Sequence, residues 1–186
     1  FRGRELPLGE QALHEGGRWD PLTVVATAER DADGWLLRGH KQHVLGAPDV
    51  DEVVVAARRD SGTLGLFVVP AAELTFKRTT SLDATRSLAN VELNGVWVPE
   101  ARLLGEPDVD AGKALAVALC DATVALALDG LGACAALFDS SLAAAHDGRI
   151  AHMGQATEHA LAAMLVAIET SRALTYQAAC AVAERD

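Results

Sequence analysis

Histidine and glycine are the residues of this chain whose spacing could build a metal centre or a nucleotide-binding turn. The six histidines are scattered along the sequence. The best-spaced pair, His152 and His159, lies seven residues apart with no third ligand in view, so we predict no metal site. Gly130-Leu-Gly132 lacks the third glycine of a dinucleotide-binding fingerprint and lies inside a helical pattern. Neither residue type predicts chemistry by itself.

Cysteine could support a disulfide framework or a zinc site, and its spacing favours neither. Cys120, Cys134 and Cys180 lie singly, without Cys-x-x-Cys spacing. We therefore expect buried free thiols in a reducing cytoplasm, because free cysteine usually packs as a small apolar residue.

Composition narrows the class of protein further. The 186 residues are 50% hydrophobic with a net charge of −10, which describes an acidic globular protein. No basic patch is present to displace counterions from phosphates, so we expect no nucleic-acid partner. Charged residues interrupt the apolar stretch 111–145 before about 18 apolar residues accumulate, which predicts no membrane span. No signal peptide is visible, and the chain begins at Phe1 without methionine, so we expect a fragment of a longer gene product.

The elements that would position any site fall into two groups, and the first is β-rich. Strands are predicted over residues 23–27, 35–37, 52–56, 64–69 and 91–98. Aspartate, glycine and proline clusters at 31–34, 47–49 and 60–62 predict hairpin turns between them. This spacing indicates a small antiparallel β-barrel or sandwich.

The second group is helical. Gly105-Glu-Pro-Asp108 ends the β pattern and alanine-rich segments follow, so we predict a β-domain over residues 1–105 and a helical domain over 106–186. Helices are predicted over 111–145 and 153–184, the second with a broad apolar face that needs covering. The predicted class is α+β, a β-domain followed by long antiparallel helices of a bundle.

Several segments resemble one known family in the order in which they occur. They are residues 33–47 continuing to 53–58, then Asp83-Ala-Thr-Arg86, then Gln155-Ala-Thr-Glu-His159 with Leu161-Ala-Ala-Met164. Together they resemble the middle β-domain and part of the C-terminal helical domain of the acyl-CoA dehydrogenase family. In that family a tetramer core covers the apolar helices, so the resemblance implies a homo- or hetero-oligomer, either a dimer or a tetramer.

The resemblance implies α,β-dehydrogenation of an acyl-CoA thioester with FAD. A glutamate removes the α-proton while the β-hydrogen leaves as hydride to flavin N5, which requires a carboxylate in a dry pocket and a positioned flavin. In most of the family this glutamate lies in a late helix, beyond Asp186. In some members it matches Ala122, which cannot act as a base, and the neighbouring Asp121 points elsewhere on a helix. We therefore assign no catalytic residue to this chain.

The resemblance also assigns candidate FAD contacts in the β-domain. His14 replaces a family threonine, Trp19 replaces a serine, and Asp20 is retained. The strand that packs tryptophan, isoleucine and threonine against the isoalloxazine appears here as His43-Val-Leu45. His43 either stacks on the ring or is an ordinary strand residue, and Leu45 offers no hydroxyl to the flavin.

A third motif reaches the FAD pyrophosphate of a neighbouring subunit in the family. Its glutamine and phenylalanine are replaced by His146 and Asp147, and its arginine is missing. An aspartate near a diphosphate is repulsive. Arg149 either compensates or is a plain surface residue, whereas Gln155 retains the family glutamine that faces the dinucleotide.

Three functions are consistent with these observations. The first is an acyl-CoA dehydrogenase-like oxidoreductase of fatty acid or lipid metabolism, cytoplasmic, with acyl-CoA as substrate and an electron-transfer flavoprotein as partner. The altered motifs and missing base favour the second, a non-catalytic structural subunit of a heteromeric acyl-CoA dehydrogenase. The third is a flavin monooxygenase or oxidase on the same scaffold, because fold does not fix function.

Overall fold

The fold is given by a computed structural model that describes residues 23–47, 49–83, 85–147 and 154–185. The chain forms two compact units that divide between Ala118 and Leu119, and each is described by itself. This division falls inside the first helix, whereas the composition changes near residue 105. The domain ranges 1–105 and 106–186 stay a prediction.

The first unit is built on one sheet, and the part of it that the structure describes has six strands. They are β1 Thr27–Asp31, β2 Gly34–Leu45, β3 Glu52–Arg59, β4 Leu64–Pro70, β5 Thr75–Thr79 and β6 Leu88–Pro99, with short 3-10 turns at Ala71–Glu73 and Glu100–Arg102. Their order is β4-β3-β1-β2-β6-β5. The α+β class is confirmed, but this sheet is open and not a closed barrel. It is also mixed, because β1 and β3 pair in parallel.

Three differences from the predicted strands have physical causes. β5 was not predicted because it is a largely exposed edge strand without apolar alternation. Residues 24–26, predicted as strand, precede β1, and Val24 and Ala26 are instead held by Arg58, whose side chain and backbone donate to their carbonyls. The strands β2 and β3, which flank the hairpin predicted at 47–49, are not neighbours in the sheet, so they do not form a hairpin.

The core of the first unit lies on one face of this sheet. Phe67, Leu37, Val55 and Val91 are fully buried there, as their apolar side chains favour. Trp35 packs edge to face on Phe67, with ring centroids 5.8 Å apart. The strand ends that carry the candidate site are therefore anchored by a packed core.

The hairpin between β1 and β2 contains a residue in a strained backbone conformation, which glycine would relieve. Asp31 pairs with Gly34 across the turn, and Ala32 has φ of 52°, a left-handed conformation that a Cβ atom disfavours. We expect Ala32→Gly to stabilise the full-length protein by about 0.5–1 kcal/mol, measured as a higher urea midpoint. Ala28→Gly, at a fully buried position of the adjacent strand β1, is the matched control and lowers the midpoint. A lowered midpoint in both variants would contradict the assignment of strain to Ala32.

Two long helices follow the sheet, α1 over Gly112–His146 and α2 over Gln155–Ala183, as predicted. Within the second unit they run antiparallel. In the N-terminal half of α1, Asp121 forms an ion pair with Arg185 at 2.9 Å. At the opposite end, Leu142 of α1 and Leu161 of α2 line one cleft. Asp121 therefore has a structural partner in Arg185.

The described helices expose much of their apolar surface. No residue of α2 is buried, and Leu137, Val166 and Leu174 are all more than 60% exposed. The three cysteines are free, as predicted, but they are exposed, which corrects the prediction that they are buried. The cause is the same in both cases, because helices that lack covering neighbours leave most of their circumference in solvent.

One helix among the described residues, α1, is long and apolar enough to cross a membrane by length and composition alone. This criterion is weak evidence, because helices of soluble bundles also meet it. Asp121, Asp129 and Asp139 lie along α1, and each carboxylate would cost about 3 kcal/mol near a bilayer centre. We therefore continue to interpret α1 as a bundle helix.

Candidate functional site

The predicted cofactor residues fall in different parts of the chain. His14, Asp20 and Arg149 lie outside the described residues. His43 and Leu45 lie at the end of β2 in the first unit, and Gln155 is the first residue of α2 in the second. The structure thus brings His43 and Leu45 together and describes Gln155 separately.

His43 occupies a β-bulge. Lys41 pairs with Val91 and Val44 pairs with Ala89, so Gln42 and His43 together stand opposite Asn90. His43 has φ of 52°, and its backbone N–H donates to Asn90 Oδ1 at 3.2 Å. A bulge inserts one residue into a strand and re-aims the side chains that follow it.

The bulge changes which side chains face outward. Lys41 and Val44 are both buried although they are three residues apart, a spacing that regular alternation does not permit. His43 is exposed and Leu45 is half-buried. The end of β2 therefore presents the imidazole of His43 and the isobutyl group of Leu45 at the edge of the core.

The chain beyond Leu45 is held by a compact polar network. Gly46 N–H donates to the Ser87 carbonyl at 2.9 Å, and Gly46 has φ of 74°, which suits glycine. Ser87 Oγ donates to Asp49 Oδ2 at 3.0 Å, and Arg78 Nη2 donates to Asp49 Oδ1 at 3.0 Å. These contacts fix the ends of β2 and β6 relative to each other.

The turn before β6 is also tied together. Thr85 Oγ1 and Thr85 N–H both donate to Asp83 Oδ1, at 2.6 and 2.9 Å. These hydrogen bonds, assisted by Arg86 3.3 Å away, hold the pKa of the Asp83 carboxyl below its usual value. Asp83, Thr85 and Arg86 therefore form a polar cluster before β6, near the candidate site.

Sequence reasoning missed two residues here. Lys41 is fully buried, which is rare for lysine. Asn90 contacts the bulge from the neighbouring strand. In the sequence, Lys41 is marked only by its place two residues before His43. Asn90 is not marked at all, because its role depends on the register between β2 and β6.

In the second unit, the described helices locate the remaining candidates. Gln155 is exposed at the N-terminus of α2, after Gly154, which provides no side-chain cap. The backbone N–H groups of a helix start favour an anionic group. His146 ends α1 and lines a cleft of about 240 Å³ with Glu158. Ala122, where some family members carry the base, is buried at 3% exposure.

No cluster of metal-ligating side chains is found in the described part of the protein. Within residues 23–47, 49–83, 85–147 and 154–185, no three histidine, cysteine, aspartate or glutamate side chains are grouped as metal ligands. What the described site offers is an exposed imidazole beside an apolar side chain, which can contact the face and edge of a planar ring.

Comparison with known proteins gives sequence relatives of one kind. No model of a protein family matches the chain. It is 28% identical to a glutaryl-CoA dehydrogenase of Desulfococcus multivorans, over 87% of this chain and 44% of the relative. It is 31% identical to the mitochondrial short-chain specific acyl-CoA dehydrogenase of Bos taurus, over 92% of this chain and 45% of the relative. The chain thus spans less than half the length of these relatives.

Solved structures share the fold. A glutaryl-CoA dehydrogenase in complex with glutaryl-CoA superposes with a TM-score of 0.80 at 24% identity, covering 92% of this chain and 46% of that one. A glutaryl-CoA dehydrogenase from Mycobacterium smegmatis in complex with FADH2 gives 0.75 at 21%, covering 88% and 44%. These identities are informative about the fold alone.

Proposed function

We propose that this chain, which belongs to the acyl-CoA dehydrogenase family over most of its length, is part of an FAD-dependent enzyme that dehydrogenates an acyl-CoA thioester. The family uses FAD. What is proposed is that this particular protein retains the cofactor and the activity. This chain spans less than half the length of its relatives, and the whole protein would carry out the reaction.

The observation that carries the proposal is the exposed His43 on the β2 bulge, with the half-buried Leu45 two residues after it. The exposed imidazole can stack on a flavin ring, and the half-buried Leu45 supplies an apolar edge. Both stand at positions that match the family's isoalloxazine-packing strand. The residues present therefore fit a flat aromatic cofactor, although the hydroxyl of the family threonine is absent.

Each candidate residue has a separate part in holding the cofactor. His43 and Leu45 would contact the flavin ring, and Gln155, with the N–H groups that begin α2, would face the dinucleotide bound to a neighbouring subunit. His14, Asp20 and Arg149 are further proposed contacts from the sequence. FAD would supply the hydride acceptor, and Ala122, which is buried and apolar, would not supply the base that removes the α-proton.

The substrate class follows from the relatives, whose names specify glutaryl-CoA and short-chain acyl groups. We infer an acyl-CoA thioester and leave the acyl group open. The exposed apolar faces of α1 and α2 favour a homo- or hetero-oligomer. An electron-transfer flavoprotein in the cytoplasm is the proposed electron acceptor.

The alternative is a non-catalytic subunit of a heteromeric acyl-CoA dehydrogenase. Two observations favour it: Leu45 in place of a hydroxyl-bearing residue, and alanine at position 122. In that case the active homologue supplies both the flavin and the base.

Flavin retention by the full-length gene product tests the proposal, with Leu45→Thr as the informative variant. We expect the purified protein to show flavin absorbance, and Leu45→Thr to bind FAD about fivefold more tightly, because one hydrogen bond contributes about 1 kcal/mol. Leu36→Thr, at a half-buried position on the same strand, is the matched control and leaves the affinity unchanged. A protein that shows no flavin and takes up none when FAD is added would contradict the proposal and favour the structural subunit.

A further inference from the structure

The geometry points to Asn90 as a positioning residue for the flavin contact, an inference that rests on the proposed function. Asn90 does not itself reach the ring position. It holds the β2 bulge in the conformation that directs His43 outward. The side-chain amide of Asn90 on β6 faces His43 on β2, whose backbone is in the left-handed conformation.

The backbone of Asn90 is fixed from the other side of its strand. On β5 it pairs with Lys77 in regular antiparallel register. On β2 it stands opposite two residues, Gln42 and His43, where the register shifts. A well-anchored strand therefore presents the Asn90 side chain to the irregular part of its neighbour.

The contact is made where the bulge is most strained. A non-glycine residue in the left-handed region costs about 1 kcal/mol, and His43 has φ of 52°. Asn90 Oδ1 accepts the His43 N–H at 3.2 Å, replacing a ladder hydrogen bond that the bulge disrupts. A side chain without an acceptor at position 90 favours a different backbone at His43.

The direction of the His43 ring depends on that backbone. If the bulge relaxed, regular alternation would place residues 41, 43 and 45 on one face, whereas Lys41 is now buried and His43 is exposed. Loss of the Asn90 contact would thus turn the imidazole away from its outward position, although no residue that contacts the cofactor has been substituted.

The chain offers a matched control on the same strand. Asn94 is exposed and pairs directly with Arg38, away from the His43 bulge. Asn94→Leu makes the same chemical change as Asn90→Leu on the same face of β6, since the two positions are four residues apart. Asn90→Asp keeps an acceptor oxygen at position 90.

The test measures FAD affinity and the visible circular dichroism of the bound flavin in the full-length protein. We expect Asn90→Leu to weaken FAD binding about 5- to 10-fold and to change the flavin dichroism, through loss of a hydrogen bond and of ring contact. Asn90→Asp restores both to within about twofold, and Asn94→Leu changes neither. In a His43→Ala background, Asn90→Leu has no further effect, because the two residues act through one contact.

The outcomes separate two failures. If the unmodified full-length protein binds FAD and Asn90→Leu behaves like Asn94→Leu, or if the effect of Asn90→Leu persists undiminished in His43→Ala, the positioning role is wrong and the proposed function stands. If the unmodified protein takes up no FAD, the proposed function itself fails and the positioning role fails with it.

Discussion

Replacing Arg59 by methionine is expected to destabilise the protein by about 3 kcal/mol and to loosen the segment that leads into α1. Arg59 is 5% exposed, and its guanidinium donates to the carbonyls of Pro107, Val109 and Leu64, the second at 2.5 Å and the third at 3.3 Å. A hydrogen bond from a charged donor contributes about 1.5–3 kcal/mol when it is buried; the bond to Leu64 is buried and the other two are partly buried, so we expect a total of about 3 kcal/mol. Methionine keeps the aliphatic volume and removes the donors.

Two measurements check this expectation in the full-length protein. The urea midpoint reports stability, and hydrogen–deuterium exchange of residues 104–112 reports the local loosening. Arg38→Met is the control, because the Arg38 guanidinium forms an exposed ion pair with Glu29 at 3.8 Å, which contributes less than about 1 kcal/mol. Equal midpoints and equal exchange in the two variants would contradict the role assigned to Arg59.

Removing the Asp110 carboxylate is the second large change, with an expected loss of about 1–2 kcal/mol. Asp110 Oδ1 accepts from the Leu64 N–H at 2.9 Å and from the Gly112 N–H at 3.2 Å, so one oxygen connects β4 to the start of α1. Losing a carboxylate that caps a helix start has this magnitude. Asp110→Ala should lower the urea midpoint, and Asp110→Asn, which keeps the acceptor oxygen, should lower it less.

The pH dependence of the same pair follows from the sign of the pKa shift. The Leu64 and Gly112 N–H groups, in that order, lower the pKa of Asp110 in the folded protein. The charged form then stabilises the fold above the unfolded pKa, about 3.9, and this contribution is lost as the pH falls through the lower folded pKa. The midpoint difference between the unmodified protein and Asp110→Asn should be constant from about pH 5 to 7 and shrink below about pH 4. A difference that persists at pH 3 would contradict this assignment.

Local pattern was sufficient to predict much of the fold. Residues 52–56, 64–69 and 91–98 are β-rich segments separated by turn residues, and each lies within an observed strand. The alanine-rich stretch after Asp110 predicted α1 and α2 to within a few residues, because helix propensity and apolar periodicity agree there. The α+β class follows from these elements.

The features that local pattern missed depend on contacts between distant residues. The parallel pairing of Thr27 with Arg58 joins strands far apart in sequence, and no turn residue signals it. Arg59 follows Arg58 and looks like a second surface arginine, yet its guanidinium is buried. The bulge at His43 exists only in relation to the register of β6.

The role of the candidate site residues in binding FAD stays a prediction. His43 and Leu45 were found from resemblance to a family motif, and the structure places them together at the end of β2. The positioning contact from Asn90 has no sequence signature. The exposure of the cysteines depends on which helices cover α1 and α2, and this chain does not determine that.

The most direct test of the central claim is anaerobic titration of the FAD-loaded full-length protein with glutaryl-CoA and with a short-chain acyl-CoA, followed by flavin absorbance. An acyl-CoA dehydrogenase transfers hydride to its flavin, so we predict that at least one thioester bleaches the flavin band and that an electron acceptor restores it. A flavin band that no acyl-CoA bleaches, or one that appears only after a homologous partner is added, would contradict the claim that this protein is the dehydrogenase.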